Sequence, residues 1–122
     1  SVSTVIDRIR KMESSGVIES YTVITDEKKT GNDVTALMEI SLEHPRYNEL
    51  FIENIKKNPN IISCYYLTGE FDYLLKIACQ SSEHLEQIHH WIKDQGGVRQ
   101  TRTHYVLRTE KNIYSPLPEA KE

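Results

Sequence analysis

An α+β domain of order β-α-β-β-α-β, with an antiparallel four-stranded sheet and two helices on one face, is what this sequence predicts. Three observations carry the prediction. The apolar period switches between two and about 3.6 residues in that order from Val34 onward. A glycine turn at Gly69 joins two adjacent strand-like runs. Gly96-Gly97 stops the second helix ahead of the last strand. The arrangement is the split βαβ, or ferredoxin-like, fold.

The elements follow in order. Ser3 to Ser15 places Val5, Ile6, Ile9 and Met12 at helical spacing, and Gly16 follows as a stop. Val17 to Thr25, rich in β-branched and aromatic residues, is a strand, and the polar run Asp26 to Asp33 is a linker. Val34 to Leu42 is the first strand of the main domain, with Val34, Ala36, Met38, Ile40 and Leu42 on one face. Pro45 introduces a helix from Arg46 to about Lys57 that carries Tyr47, Leu50, Phe51, Ile52 and Ile55 and ends at Asn58-Pro59-Asn60. Ile61 to Leu67 and Asp72 to Cys79 form a hairpin about Gly69. On the former, alternation turns Ile61, Tyr65 and Leu67 one way and Ile62, Cys64 and Tyr66 the other. Ser81-Ser82-Glu83 opens a helix to about Asp94 with Leu85, Ile88, Trp91 and Ile92 inward, and Val98 to Arg108 is the last strand. Both faces of the strands carry apolar residues, but two helices cover only one. The other face therefore predicts a homodimer packed sheet against sheet.

Composition narrows the function classes. A chain of 122 residues has room for one cored domain and a short appendage. Its net charge of -3 argues against coating nucleic acid or anionic membrane by bulk electrostatics, and no apolar run is long enough to span a bilayer. A cytoplasmic protein is expected. Cys64 and Cys79 are too few for a zinc motif and are expected as free, buried thiols. His84, His89 and His90 share a helix at steps that do not stack metal ligands, and His44 and His104 have no partner at nucleophile-base spacing, so neither a metal, a cofactor nor a catalytic residue is expected. Trp91 and the seven tyrosines are expected in core and interface.

The richest motif is Thr68-Gly69-Glu70-Phe71-Asp72-Tyr73-Leu74-Leu75-Lys76-Ile77. Its glycine tolerates positive φ, its turn offers backbone N–H groups to a carboxylate, and Asp72 offers a charge to an ammonium group, which suits a small zwitterion. An ordinary hairpin turn, with Asp72 as its capping residue, is the competing explanation.

Two stretches give the chain its resemblance to the Lrp/AsnC family of transcription regulators. SVSTVIDRIRKMESSGVIESYTVITD resembles the end of that family's winged helix-turn-helix, and TGEFDYLLKI with GGVRQTRTHYVL matches the middle hairpin and last strand of its β-α-β-β-α-β unit. The resemblance implies three parts: a partial winged helix-turn-helix over residues 1–31, a ligand-binding and oligomerisation domain over 32–112, and a tail over 113–122. It places Ser1, Ser3, Thr4 and Arg8 on a helix that enters the major groove, although a solvated helix face shows the same residue types. That family has two further helices ahead of this one, so the resemblance implies a truncated reader and weak operator binding by this chain. It also implies a small amino-acid effector, with dimers assembling into tetramers or octamers. In the implied site Gly69, Glu70 and Phe71 offer N–H groups to the α-carboxylate, and Asp72 pairs with the α-ammonium. Thr101 and Thr103, two apart on one strand, add hydroxyls from one face, with Tyr66, Gln100 and Arg102 as lesser contributors. The alternatives are an amino-acid-sensing module without DNA binding, or a sirohaem decarboxylase-like enzyme using His104, Arg102 and Arg108.

Overall fold

A computed structural model describes residues 31–113 together with Ser115, Pro116 and Pro118. The expected recognition helix, the strand after it, most of the linker, and Ser1, Ser3, Thr4 and Arg8 lie outside the described residues. The elements are β1 (Val34–Leu42), a 3-10 turn (Pro45–Tyr47), α1 (Asn48–Lys57), β2 (Ile61–Tyr66), β3 (Tyr73–Cys79), α2 (Ser82–Lys93) and β4 (Val98–Tyr105). All pairings in the sheet are antiparallel, in the order β2-β3-β1-β4. The fold is ferredoxin-like, as predicted.

Alternation sorts the residues of β1. Val34, Ala36, Met38, Ile40 and Leu42 are all buried, and they meet Tyr73, Leu75, Ile77 and Cys79 of β3 and the helix residues Phe51, Ile55, Ile88 and Ile92 in one core. The spacing of four within each helix pair puts both members of the pair on the sheet side. Pro45 opens a 3-10 turn that leads into α1, a position where its missing N–H leaves no bond unmade. The cap of the turn is the His44 ring, whose Nδ1 accepts from the Arg46 N–H at 3.0 Å. Ser81 caps α2 by accepting from the His84 N–H at 3.1 Å.

Four expectations need correction. On β2, Ile61 pairs with Ile77 but Ser63 with Lys76, so Ile62 is an extra residue, a β-bulge. Ile61, Cys64 and Tyr66 thus share the helix side, while Ser63 and Tyr65 face away; simple alternation fails across the bulge. Cys64 is free but exposed, because β2 is an edge strand, whereas Cys79 is free and buried. Trp91 is 37% exposed at the rim, since Ile88 and Ile92 already occupy the sheet-facing stripe of α2. Lastly, β4 stops at Tyr105: the Val106 N–H still donates to the Thr35 carbonyl at 2.9 Å, but β1 begins at Val34 and offers nothing further to pair with.

The sheet face away from the helices is mixed. Leu37, Leu74 and Tyr65 lie on it beside Glu39, Lys76, Arg102 and His104. His104 and Glu39 are in contact there at 2.7 Å.

Candidate functional site

The segment from Leu67 to Asp72 connects β2 to β3 and is closed by the Leu67 N–H donating to the Asp72 carbonyl at 2.8 Å. Gly69 has φ +105, a conformation that L side chains resist, and an added Cβ there would meet nothing within 4 Å. Gly69→Ala is therefore expected to lose about 1–2 kcal/mol in urea denaturation from backbone strain alone. Gly69 and Glu70 are exposed, leaving that backbone open to a ligand. Phe71 is buried at 4% and the Arg102 guanidinium lies 4.8 Å from its ring centroid, so its side chain anchors the turn.

Asp72 holds both ends of the local ladder. Its N–H donates to the Ile40 carbonyl at 2.9 Å, and its Oδ2 accepts from the Leu42 N–H at 2.8 Å. The carboxylate thus stands in for a strand partner at the end of β1, and its other oxygen retains capacity for an ammonium donor. Beside it a cavity of about 110 Å³ is lined by Leu42, Glu43, His44, Asn48, Tyr66 and Asp72. Tyr66 is 74% exposed, and its ring lies 5.3 Å from that of Tyr73, whose phenol is pushed up above its ordinary value chiefly by burial.

Thr101 and Thr103 lie opposite Ile40 and Met38 and so project from the helix side, both from one face as expected. Within one chain they do not meet Asp72. β1 stands between β3 and β4, and two strand spacings amount to roughly 10 Å. What does bridge the hairpin and β4 is Arg102, on the opposite face, where it lies across from Glu39. Gln100 lies across from Ser41 on that same face and is exposed.

Under α2, Thr103 borders a second cleft, of about 280 Å³, lined also by Ser82, Leu85, Glu86 and His89. His89 Nε2 is 3.1 Å from Thr101 Oγ1. Burial first, then Lys93 and His90, lowers the His89 pKa below its ordinary 6.5, so the ring is neutral at pH 7. Sequence reasoning tested His89 only as a metal ligand. Its partner lies on another element, beyond the reach of spacing along one helix. A wider depression of about 470 Å³ runs from Lys57 and Asn60 to Trp91, and none of the predicted site residues lines it.

Residues 35–116 match the model of the Lrp/AsnC ligand-binding domain. The chain is 36% identical over 109 residues to the HTH-type transcriptional regulator FL11 of Pyrococcus horikoshii, a match that covers 89% of this chain and 72% of that protein. AsnC of E. coli shares the fold, with a TM-score of 0.73 at 23% identity, covering 93% of this chain and 77% of that one. A feast or famine regulatory protein of M. tuberculosis, solved in complex with L-methionine, aligns with a TM-score of 0.69 at 29% identity, covering 97% of this chain and 80% of that one.

Proposed function

This chain belongs to the Lrp/AsnC family, and on that premise we propose that it is a DNA-binding regulator whose β-α-β-β-α-β domain binds a small amino acid and mediates assembly. The relatives are transcriptional regulators, and the chain is a regulator and not an enzyme. The observation that carries the effector reading is the L-methionine held by the M. tuberculosis relative, whose described counterpart here is the β-α-β-β-α-β domain. The hairpin and the α2–β4 cleft supply what a zwitterion needs: open N–H groups at Gly69 and Glu70, the Asp72 carboxylate, and the hydroxyls of Thr101 and Thr103.

Those two halves lie apart within one chain, so the site is completed where the hairpin of one copy meets the β4 edge of another. Assembly and effector binding are then coupled, because the ligand binds only where both surfaces are present. The copies form a dimer through the helix-free sheet face, and dimers associate into tetramers or octamers. Operator contact falls to the segment carrying Ser1, Ser3, Thr4 and Arg8. No described helix is long and apolar enough to cross a membrane, and a cytoplasmic location accords with a DNA partner.

Isothermal titration of the chain against the twenty amino acids, with sedimentation in parallel, tests this. Asp72→Asn keeps an oxygen for the Leu42 N–H but removes the charge. At least a roughly tenfold loss of affinity is expected, with little change in stability. No heat with any amino acid would leave only the assembly role, and a monomer at micromolar concentration would remove that too.

A further inference from the structure

Resting on the effector reading above, we infer that the cleft between α2 and β4 receives an uncharged amino-acid side chain and that His89 positions Thr101 for the ligand's ammonium group, so that binding is lost on acidification. The cleft is lined by Leu85, the His89 imidazole, Thr103, Ser82 and Glu86, with Leu85 as its one aliphatic side chain. A carboxylate side chain would meet the like charge of Glu86 in the lining of the cleft. An ammonium side chain would exchange water for Leu85 and an imidazole.

The role of His89 follows from its bond to Thr101. When Nε2 is unprotonated it accepts the Thr101 hydroxyl proton, which leaves the lone pairs of Oγ1 directed to an incoming N–H donor. The ligand's ammonium has three such protons, one for Thr101 and one for Asp72 of the partner subunit. When His89 is protonated, Nε2–H donates into Oγ1 instead. The hydroxyl must then donate outward, and a cation stands beside the ammonium. Both changes oppose binding.

The surroundings of His89 limit what else could titrate. On its own helix the charged or titratable neighbours are Glu86, His90 and Lys93. From β4 the facing groups are Thr101 and Thr103, and from β1 behind them Met38 and Ile40, none of which carries charge. His89 has its folded pKa depressed, so the neutral ring, which alone can present an unprotonated Nε2 to Thr101 when Nδ1 carries the proton, predominates above 6.5 and is lost as pH falls through the lower folded value. Neither the ligand's α-carboxylate nor its ammonium titrates across that range.

The experiment is titration calorimetry with L-methionine, L-leucine, L-glutamate and L-lysine at several pH values between about 5 and 8. Wild type should bind L-methionine or L-leucine more tightly than either charged amino acid by about tenfold, and about five- to tenfold more weakly at the acidic end than at the basic end. His89→Gln, whose amide can still serve Thr101, should bind at every pH with a flat profile. His89→Ala should bind weakly throughout, and His104→Gln should keep the wild-type profile. Tighter binding of L-glutamate or L-lysine would overturn the side-chain assignment, and a pH dependence that survives in His89→Gln would overturn the role of His89. Failure of wild type to bind any of the twenty amino acids would overturn the effector reading itself, and this inference with it.

Discussion

Phe51→Ala is expected to lower the unfolding free energy by about 3–5 kcal/mol, read as a large drop in the urea midpoint at unchanged slope. Phe51 is 2% exposed at the centre of the core, with its ring centroid 5.1 Å from that of Tyr73 on β3. Truncation removes the contact that fastens α1 to the sheet and leaves a cavity walled by residues that the sheet backbone holds in place. Native domains of this size are stable by only about 5–15 kcal/mol, so this one change removes a large share. Leu50 precedes Phe51 on the same helix but is 55% exposed, and Leu50→Ala should stay within about 0.5 kcal/mol. Equal losses at the two positions would mean that α1 does not dock by the face described.

Gly97→Ala is expected to cost about 2–4 kcal/mol, from two causes that act together. Gly97 has φ +91, and a Cβ there would collide with the Tyr47 ring at its Cγ end. Because the clash is at Cγ, next to the Tyr47 backbone, turning the ring gives little relief. The Gly97 carbonyl also accepts from the Glu43 N–H at 2.7 Å, so backbone relief would break a hydrogen bond. Combining Gly97→Ala with Tyr47→Ala should cost less than the sum of the two, because the clash is gone and only strain remains. Additive losses would show that the ring is not what crowds the glycine. Gly69→Ala, with open space around its Cβ, gives the strain component for comparison.

How legible the fold was in the chain depends on how local each cause is. The bounds of β1 and the burial of its alternate residues followed from period alone, since one side of that central strand faces both helices. The caps at Ser81 and His44 sit where short-range chemistry puts them, although the ring of His44, rather than a hydroxyl or carboxylate, does the capping. The side assignment of β2 failed at Ile62, because a bulge adds one residue that no pattern in the strand itself reveals; only the pairing with β3 does. Trp91 looked like core by helical spacing, but a helix that crosses a sheet buries a narrow stripe, and Ile88 and Ile92 fill it.

The candidate site divides in the same way. The Gly69 turn, Asp72 and the shared face of Thr101 and Thr103 were readable, because turn chemistry and the period of a strand are properties of neighbouring residues. The joining of His89 to Thr101, the stacking of Arg102 on Phe71, and the use of the Asp72 carboxylate as a ladder partner for Leu42 were not. All three depend on strand order, and the first also on how α2 lies over β4.

By itself the sequence determined the order of elements, the positive-φ turn and the family. Those rest on hydrophobic period, glycine geometry and motifs, all written within a few residues of one another. Tertiary structure alone decided which side each hydroxyl and carboxylate serves, that the two halves of the candidate effector site stand apart in one chain, and that His89 is held neutral against Thr101. The physical reason is that hydrogen bonds and desolvation act through space over a few ångströms, between residues that the chain itself separates by a dozen positions or more.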